Sequence, residues 1–212
     1  MTLVATPFVS QVNGFHFINR FDALPPIKLP WIGPIDPGTL IIGLCGGMSF
    51  AALDYYYHQM PIPPDSDPQA ISQSLRSYLV ERQLDSLGFF VLNRVIGWML
   101  RSDADVLRFT GREAVKTRAL LDRNTPVPLC LVRVAGLANP TANHQVVARA
   151  YEFDANNAIL ALHLYDPNHP DSEPTINLHL LPDGGAANLS QSTGEPLRAF
   201  FVNPYQPKTP PA

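Results

Sequence analysis

The chain has 212 residues, 46% hydrophobic and 16% charged, with a formal net charge of −3. That composition is globular rather than disordered and carries no basic field for nucleic acid, and the length suits one domain with a sizeable core or two very small ones. Two cysteines are too few for a disulfide framework, and no Cys-x-x-Cys or Cys/His spacing suits a metal, so neither metal nor cofactor is expected.

Residues 1–38 read as extended or irregular, because Pro25, Pro26, Pro30, Pro34 and Pro37 prevent a long helix. The first residues lack a charged region followed by a continuous apolar core, and the apolar stretches 39–53 and 87–100 are short or interrupted. No signal peptide or membrane span is expected, which makes a soluble chain with a cytoplasmic address by default the expectation. A helix is predicted over 44–58, with Met48, Ala51, Ala52 and Tyr55 on one face. Asp67-Pro68 offers a cap and first position for the next helix, which carries Ile71, Leu75, Tyr78 and Leu79 and stops near Gly88. The apolar run 89–101 is taken as a buried helix. Thr110-Gly-Arg-Glu113 has capping-box form and predicts a helix to about Asp122.

After Thr125 the pattern changes to alternating short strands: 126–134, 144–154, 158–167, 175–181 and 198–204. Asp154-Ala-Asn-Asn157 is a turn that pairs 144–154 with 158–167 as a hairpin. Residues 183–195 read as a loop and 205–212 as a flexible tail. The expected class is α+β in one domain over 1–212, irregular then helical over 1–124 and mainly antiparallel strands over 125–204.

Three residues carry a candidate chemistry. Cys45 opens the first long helix among Gly43, Gly46 and Gly47, where the positive helix end favours a thiolate and the Cys45 N–H could donate to an oxyanion. Taken alone, the same pattern suits a buried helical thiol with glycines used for close packing. His144 opens one strand of the predicted hairpin and Asp166 ends the other, so the two should be neighbours. A carboxylate beside an imidazole beside a thiol forms a nucleophile–base–orienter array. Taken separately, His144 also suits a surface or capping position and Asp166 an Asp-Pro turn. Cys130, inside an aliphatic strand, reads as an inert buried thiol, and His163 and His179 as strand-surface residues. His169 and Asp171 follow the Asp-Pro turn and read as loop residues, although they could line a cleft.

GLCGGMSFAALDYY, NHQVVARAYEFD and LYDPNHP together resemble the papain-like cysteine peptidase superfamily, nearest its bacteriocin leader-peptidase-like branch. The resemblance implies a helical lobe carrying the nucleophile packed on an antiparallel sheet lobe carrying the base, with a cleft between them. It implies Cys45 as nucleophile, His144 as general base and acid, and Asp166 as orienting carboxylate. The implied activity is hydrolysis of a peptide or amide through an acyl-enzyme, with a peptide or protein as substrate. One departure stands out: the family places a glutamine shortly before the nucleophile as a second oxyanion donor, and 35–43 contains none. Thr39 or a backbone N–H could substitute, or Gln11 or Asn19 folding in from the N-terminal segment. The same triad order also serves transglutaminase-type acyl transfer, and the missing glutamine would suit a non-catalytic interaction module.

Overall fold

A computed structural model describes residues 2–22, 43–136 and 138–211. In chain order these form β1 (Thr2–Ala5), α1 (Ser10–Asn13), α2 (Cys45–Tyr57), α3 (Gln73–Ser86), α4 (Phe89–Met99), α5 (Asp103–Leu121) and β2 (Val127–Val132). There follow β3 (His144–Asp154), β4 (Ile159–Tyr165), β5 (Thr175–Leu180), β6 (Ala186–Gln191) and β7 (Ala199–Val202). Helices precede an antiparallel sheet, so the class is α+β as the pattern predicts.

The sheet runs β6-β5-β4-β3-β2-β7, and every pairing is antiparallel. β3 is long enough to take two partners along one edge. Its first half pairs with β2, Leu131 opposite His144, and its second half with β1, Ala5 opposite Ala150. Thr6 bridges the changeover by bonding the Arg149 carbonyl through both its N–H and its hydroxyl.

Side-chain alternation gives the sheet two buried faces. Leu129, Leu131, Val146, Leu162 and Phe200 pack with Ala114 and Leu121 of α5. On the opposite face, Cys130, Val132 and Phe201 meet Val95, Trp98 and Met99 of α4. Val147 and Tyr165 join a third cluster with Phe8, Phe15, Phe17 and Met48 and Leu53 of α2.

Helix α2 is buried continuously from Cys45 to Tyr55, not on one face alone as the spacing predicts. A helix apolar all round belongs inside a domain, and α2 lies between α3 and the sheet. Gly46 and Gly47 make that approach possible. A Cβ at Gly47 would stand 2.1 Å from the Leu79 carbonyl oxygen, and one at Gly46 would stand 2.1 Å from the Ser86 hydroxyl.

Several boundaries differ from the sequence expectation. Helix α3 is capped by Ser72, whose hydroxyl accepts the Leu75 N–H, while Asp67 closes only a local turn on the Gln69 N–H. Helix α5 begins at the Ser102 cap, so Thr110 lies inside it and donates back to the Val106 carbonyl. Glu113 instead reaches the sheet, accepting the Val202 N–H and an Arg94 ion pair. Within the expected loop 183–195, Ala186–Gln191 forms the edge strand β6. Its polar sequence lacks alternation, and its strand state comes from the ladder with β5.

The expected flexible tail is docked. Asp54, fully buried on α2, accepts from Arg82, Tyr78, Tyr205 and the Lys208 N–H, and Arg82 also donates to the Gln206 carbonyl. The Tyr55 hydroxyl holds the Pro211 carbonyl. Among the described residues, no helix is long and apolar enough to cross a membrane.

Candidate active site

Cys45 is the first residue of α2, with Leu44 at the cap position and the Met48 N–H closing the first helical bond on the Leu44 carbonyl. The amides ahead of that bond carry the positive end of the helix dipole. Of these, the Gly47 N–H is taken by the Gln83 side-chain carbonyl, 2.8 Å away.

His144 enters from a short 3-10 turn over 140–142. Asn139 caps that turn, and Asn143 pins it by accepting the Arg133 N–H and donating to the Pro140 carbonyl. The hairpin register puts Tyr165 opposite Val147, so its open ends bring His144 and Asp166 together as predicted. His144 Nε2 lies 2.6 Å from Asp166 Oδ1, both side chains being buried. Oδ1 also accepts the Asn168 N–H at 2.8 Å. With Nε2 facing the carboxylate, the other ring nitrogen serves the hydrogen bond to Cys45.

The electrostatics follow from this contact chain. Burial pushes the Cys45 thiol up, but the His144 cation, the hydrogen bond to it and the Gln145 N–H together bring it below its usual value. Burial also disfavours the His144 cation, yet Asp166 and the Cys45 thiolate outweigh it and push the imidazole up to about 9. For Asp166, burial opposes the charge, while His144 and the Asn168 N–H hold the carboxyl below the usual range. The thiol therefore ionises before the imidazolium does, and between those two points the pair is thiolate and imidazolium.

The three predicted site residues are thus brought together. The other sequence candidates divide. Thr39 lies outside the described residues. Gln11 is exposed on α1 and does not line the Cys45 cavity. Asn19 does line it: Oδ1 accepts the Leu44 N–H at 2.7 Å, Nδ2 donates to Asn168 at 3.2 Å, and the Asn19 N–H reaches the Pro167 carbonyl. One asparagine therefore joins the residue before Cys45 to the turn after Asp166. His163 is paired with Glu152, His179 is exposed, and Asp171 is exposed on its loop.

Cys130 is a buried thiol whose pKa burial pushes up, as expected of an inert one, yet it also lines the Cys45 cavity. Gly43 lines the cavity too, whereas Gly46 and Gly47 serve packing.

Sequence reasoning misses the polar weld behind the site. Gln145 donates to Ser86 and accepts from Asn203, its carbonyl accepts from Ser49, and Asn203 also reaches the Ser86 carbonyl. These buried bonds tie α2, α3, β3 and the segment after β7 into one unit. The one available signal is a glutamine within an otherwise apolar strand start.

Among the described residues, Asp166, His169 and Glu195 bring ligand-type atoms within 4.8 Å of one another. Arg133 already engages both Glu195 oxygens, at 3.2 and 3.0 Å, and a cation there would have to displace the guanidinium. The chemistry the arrangement supports is instead that of an activated thiol beside a charged imidazole. In comparisons with family models, curated proteins and solved structures, the chain matches none.

Proposed function

We propose that the protein is a cysteine-dependent hydrolase of papain-like type, cleaving peptide or amide bonds through a Cys45–His144–Asp166 triad. The observation that carries this reading is the contact chain itself. Cys45 at a helix N-terminus is hydrogen-bonded to His144, and His144 Nε2 lies 2.6 Å from the buried Asp166 carboxylate.

The Cys45 thiolate adds to the substrate carbonyl, forming the C–S bond as the carbonyl π electrons move onto oxygen. The Cys45 N–H and Asn19 Nδ2, which has a second hydrogen beyond the one given to Asn168, stabilise that oxyanion. Collapse restores the carbonyl and expels the amine, which takes the His144 proton. Water then attacks the thioester as neutral His144 accepts its proton. The C–S bond breaks, the acid leaves, and thiolate and imidazolium are restored. Asp166 holds the ring orientation and stabilises its cation throughout.

The support is geometric and electrostatic. The helix-first, sheet-second order with the site between α2 and β3 also suits the papain-like arrangement. The test is labelling with iodoacetamide as a function of pH, read at each cysteine by mass spectrometry. Cys45 labelled well below the pH range of an ordinary thiol, and well before Cys130, supports the reading. Slow labelling of both thiols, with onset near pH 8.5, overturns it.

A further inference from the structure

Resting on the reading of Cys45, His144 and Asp166 as a triad, we infer that Glu195 is a positioning residue for it: by binding Arg133 and His169, Glu195 leaves the Asp166 carboxylate to His144. Glu195 lies on the link between β6 and β7, yet it stands beside the triad in space. Ligand-type atoms of Asp166, His169 and Glu195 are within 4.8 Å of one another.

The basic groups flanking this cluster converge on Glu195. Arg133 follows β2 and lines the same cavity as Cys45 and His144, and its Nη1 and Nη2 donate to Glu195 Oε1 and Oε2 at 3.2 and 3.0 Å. His169 closes the turn after β4 by donating its N–H to the Asp166 carbonyl, and its Nε2 lies 3.3 Å from Glu195 Oε2. Thr193 and Gln191 donate to that same oxygen at 2.9 and 3.4 Å, which fixes the carboxylate from its own side. Other charged groups of these segments are engaged elsewhere or exposed: Glu173 pairs with Arg149 and His163, Arg198 with Asp103, and Asp171 faces solvent.

The arrangement is a charge balance. Two carboxylates this close repel, and Arg133 offsets the second of them. Burial and Asp166 oppose the charge of Glu195, yet Arg133, Thr193 and His169 hold its carboxyl below the usual range. Asp166 Oδ2 and Arg133 Nε are both buried without a hydrogen-bond partner among the described residues. The Arg133 backbone is pinned, because its N–H donates to Asn143, the residue before His144. A guanidinium released from Glu195 would therefore stay at the site, as an unbalanced cation with a free acceptor in the triad itself. Either effect disfavours the His144 imidazolium.

The test is the titration of the His144 ring in the full chain, followed by NMR of the histidine ring carbons and assigned with His144→Gln. Glu195→Gln, which keeps the shape and loses the charge, should lower the His144 value from about 9 by about 0.5–1 pH unit. Arg133→Gln leaves Glu195 unbalanced and should raise it by a similar amount. The double variant Arg133→Gln/Glu195→Gln should return to within about 0.3 unit of the native value, and Glu195→Asp should move it less than half as far as Glu195→Gln.

A His144 titration unmoved by Glu195→Gln overturns the inference. So does a shift of one sign in both single variants and the double, the mark of a merely structural change. Should Arg133→Gln not fold, Glu195→Gln and the double variant decide: no fall in the first, or no return in the second, counts against Glu195. Iodoacetamide labelling of native Cys45 keeps the two readings apart. An onset near pH 8.5 overturns the triad itself, whereas a low onset with an unmoved His144 overturns the role of Glu195 alone.

Discussion

His144 and Asp166 stand 22 residues apart in sequence and 2.6 Å apart in space, because one strand of a hairpin starts where the other ends. The carboxylate is fully buried, and among the described residues its Oδ2 has no hydrogen-bond partner, while Oδ1 faces the imidazole and the Asn168 N–H. Replacing it by an amide keeps the shape and removes the charge. We expect Asp166→Asn to lower kcat/KM by about 10²-fold or more, as loss of an orienting carboxylate does in triads. The His144 pKa should fall from about 9 toward its ordinary value, and thiolate formation should shift to higher pH. A pH–alkylation profile reads both.

The pH dependence of the native protein follows from the same pair. The thiol lies below its ordinary value and the imidazole is raised to about 9, so the reactive ion pair exists between them. kcat/KM should rise with pH as Cys45 ionises, below the range of a free thiol, and fall as the imidazolium loses its proton near pH 9. These are apparent constants of the coupled pair. For stability, the His144 contribution is complete below its unfolded pKa of about 6.5 and is lost as pH rises through about 9. The Asp166 contribution is complete above its unfolded value and is lost as pH falls through its depressed one.

Asn19 is expected to matter for turnover more than for the thiolate. On the proposed mechanism Asn19→Ala removes one of the two oxyanion donors and should reduce kcat by about 10²–10³-fold. Alkylation, which builds no oxyanion, should change less than tenfold. Steady-state kinetics alongside iodoacetamide rates separate the two, and equal losses in both would assign Asn19 to shaping Cys45 instead.

Gly47→Ala tests the seat of α2, the helix that Cys45 opens. A Cβ there meets the Leu79 backbone oxygen at 2.1 Å, which no side-chain rotation relieves. Overpacking of this kind costs about 1–3 kcal/mol or more, and denaturant titration should show it as a lower midpoint.

The tail should be released by breaking its buried anchor. Asp54→Ala leaves Arg82 buried without its main partner and frees Tyr205 and the Lys208 N–H. Removing one member of such a pair costs about 3–5 kcal/mol. Limited proteolysis should then cut near residues 205–211, whereas Lys208→Ala, which loses ion pairs on the surface, should change stability by about 1 kcal/mol or less.

The site was legible because its pieces sit at the ends of well-patterned elements. A glycine-flanked cysteine opens an apolar helix, and alternating strands joined by Asp154-Ala-Asn-Asn157 set the register that pairs His144 with Asp166. What periodicity misjudged were elements whose state depends on distant partners. The polar edge strand β6 exists through its ladder with β5, and the proline-rich tail is held by Asp54 and Arg82 from α2 and α3. Thr110 looked like a cap until Ser102, eight residues earlier, supplied one.

By itself, then, the sequence determined the α+β order, the central hairpin and the three residues of the candidate triad, since these rest on local periodicity and turn chemistry. Only the tertiary structure decided that Asn19 joins Leu44 to Asn168, that Gln145, Ser86 and Asn203 lock the site from behind, and that Leu87, Leu92 and Val95 wall the cavity beside Cys45. Those are contacts between side chains far apart in sequence, and no local pattern encodes which buried polar group finds which partner.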